Sequence, residues 1–237
     1  MKIILSGYGR MGKEVEKQAL SRNHEIIAKF DAPNDWKTDI LKTADVVIDF
    51  SLPETAIQNI YKSFDGGIPI VTGTTGWYHK LDEVKEKCNA QGQTLFYAPN
   101  FSVGVNLFFE INRVLSTYMN DHTMYDASIS ETHHIHKKDA PSGTAKQLAD
   151  SIIQNMDKYL SWSNTPSSKE QLPVESFRKN EVPGTHNVTF DSAIDKITLT
   201  HEAKSRVGFA LGAVKAAEWV CNKPGVYTMK NYLFNNF

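Results

Sequence analysis

Residues 131–145 bring three histidines, two lysines and a Ser-Gly-Thr sequence together within one short run. Imidazole rings exchange protons near neutral pH, and ammonium groups form charge-assisted hydrogen bonds with carboxylates. A hydrophobic core needs none of these groups, whereas a site that binds carboxylates and moves protons needs all of them. The run therefore predicts a site of that kind.

A helix start lies at the end of this run. Ser142 is expected to cap a helix that begins at Gly143, because a serine side chain accepts a hydrogen bond from the first turn. The backbone N–H groups of Gly143 and Thr144 would then point out of the helix, with no glycine side chain in the way. Together with the charge of Lys137 or Lys138, they predict a cradle for a carboxylate or phosphate. The alternative is an ordinary capped helix beside a solvated basic loop.

The same histidines allow a second chemistry. His134 and His136 would share one strand face, and with Glu131 or Asp139 they offer ligands for zinc. No further ligand stands at a recognised zinc spacing, so the sequence favours a site without metal. Alternation along the strand sends His133 to the face opposite His134, which predicts different roles for these two neighbours.

A glycine-rich loop near the start of the chain would position a nucleotide. An apolar strand over 2–6 runs directly into Gly-Tyr-Gly-Arg-Met-Gly, and apolar residues then recur at helical spacing to about Ser21. In this context the first glycine permits a tight turn, the second lets a pyrophosphate approach the backbone, and the third lets the helix pack on the sheet. The predicted cofactor contacts in this loop are Gly7, Gly9, Arg10, Met11 and Gly12.

Strand–helix alternation continues to about residue 104 and predicts an α/β fold with a Rossmann-type doubly wound parallel sheet. Asp31 ends the second strand, where an acidic side chain accepts hydrogen bonds from the adenosine ribose. Ser51 is the expected cap of the helix that starts at Pro53. Ligands bind at the carboxyl ends of parallel strands, which adds the loops after the fourth and fifth strands. Their candidate cofactor contacts are Gly73, Thr74, Thr75, Ala98, Pro99, Asn100 and Phe101.

The pattern changes after a helix over 105–118. Strands over 125–134, 185–190 and 196–203 lack intervening helices, which predicts an α+β region with an open mixed or antiparallel sheet. The polar segment 156–185 is interpreted as a surface connection. An open sheet face is typical of a surface that meets another subunit, so we expect an oligomer. The chain closes with a helix and a short tail, over 207–221 and 227–233.

Composition limits the classes of function. The chain has 237 residues, of which 41% are hydrophobic and 22% charged, as in ordinary globular proteins. A net charge of −1 gives no electrostatic reason to expect nucleic acid or a membrane surface. Cys88 and Cys221 are isolated, which argues against a disulfide framework or a thiolate metal site. Without a membrane-length apolar run or a signal-peptide pattern, we expect a cytoplasmic protein.

In its motifs the sequence resembles the dihydrodipicolinate reductase family over nearly its whole length. The motifs that carry the resemblance are Gly7–Gly12, Gly73–Gly76, Ala98–Asn106, Glu131–Ala145 and Thr200–Ala210. The central run is highly specific, whereas the first glycine loop alone is not. The resemblance implies an NADH- or NADPH-dependent oxidoreductase of diaminopimelate and lysine synthesis. Such an enzyme reduces 4-hydroxy-tetrahydrodipicolinate, a small cyclic dicarboxylate, to tetrahydrodipicolinate.

The resemblance also implies a domain organisation and an assembly. Residues 1–104 and 207–237 would form the dinucleotide-binding domain, and residues 105–206 the domain that binds substrate and forms oligomers. The family's cofactor contacts match residues 73–75 and 98–101 of this sequence. The chain would assemble into a homotetramer.

The central run matches the family's chemistry residue by residue. His133 matches the catalytic proton donor and acceptor, and Lys137 matches the general acid. His134, Gly143 and Thr144 match substrate-binding positions. A dicarboxylate needs positive charge and directed donors, and a histidine or lysine is the usual acid that protonates a reduced ring.

Two positions depart from the family pattern. Ser6 stands where many members have glycine, and Ala32 follows Asp31 where some members have arginine. Without that guanidinium, the 2′-phosphate of NADPH loses its natural partner and meets the repulsion of Asp31. The sequence therefore predicts a preference for NADH, unless Lys29 or Lys37 replaces the missing charge.

Two other functions share parts of this pattern. A related NAD-dependent dehydrogenase acting on another small dicarboxylate would have the same nucleotide-binding half. A nucleotide-sensing protein without catalysis would also keep that half, but it has no need for His133, Lys137 and a bare helix start together. His136 and Lys138 are expected to lie outside the chemistry in every case.

Overall fold

The computed structural model describes residues 1–31, 36 and 38–234. Contacts within the chain divide it into two compact units, a first unit of Met1–Val103 with Val207–Phe237 and a second unit of Gly104–Arg206. Ala32 and Lys37, which enter the prediction of cofactor preference, lie outside the described residues.

The described residues form eleven strands and eight α-helices, numbered here in chain order. The strands are β1 (Lys2–Ser6), β2 (Glu25–Phe30), β3 (Val46–Asp49), β4 (Ile70–Thr72), β5 (Thr94–Tyr97), β6 (Asp126–His133), β7 (Ser161–Ser163), β8 (Gln171–Arg178), β9 (Thr185–Asp191), β10 (Lys196–Glu202) and β11 (Gly225–Tyr227). The helices are α1 (Arg10–Ser21), α2 (Thr38–Leu41), α3 (Pro53–Asp65), α4 (Leu81–Ala90), α5 (Val103–Met119), α6 (Gly143–Asn155), α7 (Val207–Val220) and α8 (Met229–Phe234). No helix within the described ranges is both long and apolar enough to cross a membrane.

The first unit is built on a parallel sheet in the order β11-β5-β4-β3-β1-β2. Both faces are buried, because alternate residues of the same strand enter two separate cores. Ile3 of β1 packs in one core with residues of α1 and α7, whereas Ile4 packs in the other with residues of α3 and α4. This explains why the strands are continuous apolar runs, and it confirms the predicted doubly wound sheet.

The end of the chain differs from the predicted short tail. Residues 225–227 form β11, which pairs parallel with β5 and extends the sheet, and α8 follows it. Val226 lies beside Leu95 in the register of the two strands. A strand of three residues is too short to show an alternating pattern, so only its pairing with β5 identifies it.

The start of α3 is a second difference. Leu52, not Ser51, occupies the position before the first helical turn, and no side chain of the described residues caps this end. Pro53 begins the helix as predicted, because its fixed backbone angle suits the first turn. The Ser51 hydroxyl instead accepts a hydrogen bond of 3.0 Å from Asn59 Nδ2, so this serine belongs to a polar cluster described below.

The second unit contains a mixed sheet in the order β10-β9-β6-β8-β7. Strand β6 pairs parallel with β8 and antiparallel with β9, which confirms the mixed sheet. The interpretation of 156–185 as a surface connection is wrong, since this segment contributes β7 and β8. Only Leu172 and Val174 alternate as buried apolar residues there, and Pro173 lies between them. The local sequence of β8 has little of the pattern of a strand, and its pairing with β6 determines the strand conformation.

Candidate active site

The glycine loop of the first unit meets steric requirements at two positions. Gly7 has a φ of +81°, and a Cβ at Gly7 would lie 2.2 Å from the Phe50 carbonyl oxygen. A Cβ at Gly12 would lie 2.2 Å from the Gly7 carbonyl oxygen. At Gly9, in contrast, no heavy atom of the described chain apart from residues 8–10 lies within 4 Å of a Cβ. The loop therefore packs tightly at its ends and leaves open space at its middle, which fits a pyrophosphate-binding turn.

Asp31 lies where the sequence places it, at the carboxyl end of β2. Its Oδ1 accepts a hydrogen bond of 3.1 Å from the backbone N–H of Tyr8. Asp31 also lines a pocket with Gly7, Trp36 and Asn59. This is the edge of the sheet at which dinucleotide-binding folds hold the adenosine.

Lys29, the described candidate for replacing the missing arginine, is already paired. Its Nζ lies 2.6 Å from Glu16 Oε1 and donates to the Tyr8 hydroxyl at 2.9 Å. The hydrogen bond that Lys29 donates to Glu16 lowers the pKa of Glu16 and raises the pKa of Lys29. The ammonium group therefore has a carboxylate partner within the protein.

A buried carboxylate under the second glycine loop escaped the sequence analysis. Asp49 is 0% exposed and accepts hydrogen bonds from four neutral side chains. They are Ser6 Oγ at 2.7 Å, Thr74 Oγ1 at 2.8 Å, Thr72 Oγ1 at 2.9 Å and Asn59 Nδ2 at 3.1 Å. The signal was an aspartate inside an apolar strand. The cluster also gives Ser6 a function that glycine lacks, since its hydroxyl binds Asp49.

The remaining cofactor candidates differ in exposure. Ala98 and Phe101 are buried, and Phe101 packs against Phe50 with ring centroids 5.9 Å apart. Pro99 is exposed and Asn100 half-buried at the same loop, where Asn100 Oδ1 accepts a hydrogen bond from Ser102. Exposure also varies at the other candidates, with Arg10 and Thr75 exposed, Met11 and Gly73 half-buried, and Thr74 buried.

In the second unit, β6 places Glu131 and His133 on one buried face. Glu131 is 0% and His133 8% exposed, and a Glu131 carboxylate oxygen contacts His133 Nδ1. The other oxygen, Oε1, accepts from Arg178 Nη1 at 3.0 Å and from the Ser142 backbone N–H at 3.3 Å. Strand β6, strand β8 and the start of α6 therefore meet at one carboxylate.

The charges at this site follow from those contacts. Burial alone would raise the pKa of Glu131, but the hydrogen bonds from His133 and Arg178 outweigh burial and lower it to about 2. His186, 4% exposed, has its pKa lowered to about 4 by burial and then by the positive charge of His133. The charge of Lys137 also lowers the pKa of His186.

Arg178 holds the loop that contains Lys137. Its Nε donates to the Lys137 carbonyl at 3.3 Å, and its Nη2 donates to the Asp139 carbonyl at 2.5 Å. Lys137 Nζ in turn lies 2.8 Å from Asp139 Oδ1. Arg178 and His186 are not predicted from the sequence, because each reaches the site through sheet pairing and neither belongs to a local motif.

The start of α6 has the predicted cap. Ser142 Oγ accepts a hydrogen bond of 3.1 Å from the Ala145 backbone N–H, and it lies 3.0 Å from His186 Nε2. Gly143 is exposed, and no heavy atom of the described chain lies within 4 Å of a Cβ placed on it, apart from its chain neighbours and the backbone of its own helix. The first turn is thus open in front, as an anion cradle requires.

Among the described residues, the possible metal ligands that the fold brings together differ from the zinc ligands suggested by the sequence. His136 Nε2 pairs with Glu181 at 3.1 Å, and Asp139 pairs with Lys137. Possible ligand atoms of Glu131, His133 and His186 do lie within 4.8 Å of one another. Both oxygens of Glu131 already accept hydrogen bonds, one of them from a guanidinium, so this group fits a hydrogen-bonded network better than a metal site.

Comparison with known proteins identifies the family of the chain. Family models described as the N-terminus and the C-terminus of dihydrodipicolinate reductase match residues 1–101 and 104–233. The 4-hydroxy-tetrahydrodipicolinate reductase of Christiangramia forsetii is 44% identical over 243 aligned residues, covering 100% of this chain and 99% of the relative. That of Archaeoglobus fulgidus is 34% identical, covering 98% of this chain and 100% of the relative.

Among solved structures, a dipicolinate-bound dihydrodipicolinate reductase from Paenisporosarcina sp. TG-14 has the same fold. It matches with a TM-score of 0.81 and 20% sequence identity, covering 99% of each chain. A probable dehydrogenase from Thermotoga maritima matches with a TM-score of 0.53 and 9% identity, covering 98% of this chain and 92% of the other. With both halves matched by family models and the motifs in place, the chain belongs to the dihydrodipicolinate reductase family.

Proposed function

We propose that this protein reduces 4-hydroxy-tetrahydrodipicolinate to tetrahydrodipicolinate with a nicotinamide nucleotide, as a step of diaminopimelate and lysine synthesis. The observation that carries the proposal is the cluster of Glu131, His133, Lys137 and the open start of α6 in one unit. Relatives with high coverage are named for this reaction. The family match and the residues present therefore support the same chemistry.

The second unit binds the dicarboxylate in this proposal. Lys137 supplies a positive charge for one carboxylate, and the N–H groups of Gly143 and Thr144 supply directed donors for a carboxylate in front of α6. His134 lies beside Lys137 in the same loop, where the Lys137 N–H donates to its carbonyl at 3.1 Å. His133 moves the proton that the reduced ring requires, with Lys137 as the general acid.

The first unit holds the nicotinamide nucleotide, which supplies the hydride when bound. The fit is steric: the space at Gly9 is open, whereas Gly7 and Gly12 pack tightly. The loops at 73–75 and 98–101 supply the further contacts. We propose a preference for NADH, because Asp31 repels a 2′-phosphate and Lys29 is held in an ion pair with Glu16.

An NADH oxidation assay with freshly generated substrate tests the function. Wild type is compared with Lys137→Ala and with the matched control Lys138→Ala, whose lysine is exposed on the same loop. We expect turnover in wild type and the control, and a loss on the order of 10²-fold or more in Lys137→Ala. NADH binding without turnover in wild type would instead identify a nucleotide sensor.

Oligomeric state is tested separately. Membership of the family supports the proposed homotetramer. One face of β6 supports it as well, because its polar residues Ser128, Ser130 and Thr132 are only half-buried. Light scattering should give four times the chain mass of 26.6 kDa. A monomeric mass at assay concentration would contradict this assembly.

A further inference from the structure

We infer that Glu131 is a positioning residue that keeps the proton of neutral His133 on Nδ1 and so leaves Nε2 to face the substrate. This inference rests on the proposed function, since it concerns how the proposed proton donor is held. It concerns a residue in contact with His133 that the sequence motif alone leaves without a role.

The contacts of Glu131 fix which atom faces the histidine. Arg178 Nη1 and the Ser142 backbone N–H are both donors, and both point at Oε1. The second oxygen, Oε2, is therefore the one that contacts His133 Nδ1. With a pKa of about 2, the carboxylate carries no proton near neutral pH and accepts hydrogen bonds only. Nδ1 must then carry the hydrogen that joins the two groups.

The opposite edge of the His133 ring lies beside a glycine. Gly184, with a φ of +153°, stands beside it, and a Cβ there would lie 2.9 Å from His133 Nε2. Any larger residue would push against the nitrogen that Glu131 leaves free. Glycine is thus required at this position by both its backbone angle and the adjacent ring.

His186 packs against the same ring without adding charge. Its ring centroid lies 5.0 Å from that of His133, with 74° between the ring planes. Burial and the neighbouring positive charge lower the pKa of His186 to about 4, so it stays neutral when His133 gains a proton. Two neighbouring imidazolium rings would repel each other, and this arrangement avoids that.

The first test needs no variant of Glu131. Two-bond ¹H–¹⁵N correlation spectra of the wild-type protein in alkaline buffer report which ring nitrogen is protonated. The His133 signals are assigned with the variant His133→Gln. We expect the Nδ1–H form of His133. The Nε2–H form in wild type would overturn the inference, whatever the protein's turnover.

The second test replaces only the accepting oxygen. In Glu131→Gln, Arg178 and Ser142 still require an oxygen at the Oε1 position, so the amide NH₂ must face His133 Nδ1. A donor there selects the Nε2–H form, as in a triad whose carboxylate is replaced by an amide. We expect kcat to fall on the order of 10²–10⁴-fold, with KM within about threefold because carboxylate binding is untouched.

Glu175→Gln is the matched control, because it makes the same change on β8 at an exposed residue. It should leave the His133 spectrum and kcat unchanged. The inference fails if Glu131→Gln keeps the Nδ1–H form or keeps the wild-type kcat. The proposed function fails in a different way, through absence of turnover in a wild-type protein that shows the expected His133 spectrum.

Discussion

The two units each bury a carboxylate completely, but they surround it with different partners. Asp49 in the first unit and Glu131 in the second are both 0% exposed. Asp49 accepts hydrogen bonds from hydroxyl and amide groups, all of them neutral. Glu131 accepts from a guanidinium, an imidazole and one backbone N–H. A neutral network fixes the shape of a loop, whereas a network of charges also controls where protons lie.

Removing Arg178 should have the largest effect on stability, because it leaves a buried charge without its partner. For Arg178→Met we expect the free energy of unfolding to fall by about 3–5 kcal/mol. The loop carbonyls of Lys137 and Asp139 also lose their donor. Chemical denaturation measures the change. A matched control is Arg113→Met, whose exposed pair with Glu110 should contribute no more than about 1 kcal/mol.

If Arg178→Met were no more destabilising than Arg113→Met, the contrast between the two buried carboxylates would be wrong. Glu131 would then be stabilised by neutral donors, as Asp49 is. Enzyme activity provides a second measurement on Arg178→Met. Because Arg178 anchors the loop of Lys137, KM for the dicarboxylate should rise even where the protein remains folded.

The charged network should also make stability depend on pH. The pKa of His186 is about 4 in the folded protein, below the ordinary value of 6.5, so the unfolded chain binds more protons in between. The contribution of His186 to the free energy of unfolding is therefore fully present above about pH 6.5. It is lost as the pH drops towards 4, which lowers the stability by roughly 3 kcal/mol. Burial also lowers the pKa of His201, which acts in the same direction.

The variant His186→Gln tests this assignment. Glutamine does not titrate, and its amide can replace the contact of His186 Nε2 with Ser142. The fall in unfolding free energy between pH 6.5 and 4.5 should become shallower than in wild type. An unchanged slope would assign the pH dependence in this range to another group, such as His201, whose pKa burial lowers.

Asp49→Asn should have a smaller effect on stability than Arg178→Met, because every partner of Asp49 is neutral and the hydroxyl donors can rotate. We expect a loss of about 1–3 kcal/mol in the free energy of unfolding. The functional effect should appear in KM for NADH, since Thr74 joins Asp49 to the second glycine loop. A change in KM for the dicarboxylate alone would contradict the separate roles of the two networks.

The sequence predicted what local patterns carry. Strand–helix alternation identified the parallel sheet, and the serine cap with its apolar stripe identified α6. It did not identify β8 or β11, whose short or polar sequences become strands only beside β6 and β5. The neighbours of Ser51 resemble a helix start and predict a cap, yet tertiary contacts place this serine in the Asp49 cluster.

The same limit applies to the candidate site. His133, Lys137 and the α6 start lie in one run, so their chemistry is readable from the sequence. Arg178 and His186 lie tens of positions away and reach Glu131 only through the pairing of β8 and β9 with β6. Aspartate inside the apolar strand β3 was a readable signal for Asp49, because a buried carboxylate requires donors.

The smallest expected effect concerns the ion pair between Lys29 and Glu16 in the first unit. Lys29 is bound to Glu16, so Glu16→Gln should release its ammonium group while leaving Asp31 in place. A released cation attracts the 2′-phosphate, and we expect the ratio of kcat/KM for NADPH to that for NADH to rise about 3–10-fold.

Glu14→Gln on the same helix is the control, because Glu14 binds Gln18. If the ratio rises equally in both variants, the net charge of α1 and not the release of Lys29 sets cofactor preference. If the ratio rises in neither variant, Asp31 alone excludes the 2′-phosphate. The ion pair of Lys29 and Glu16 then contributes to the structure of the first unit but does not select the cofactor.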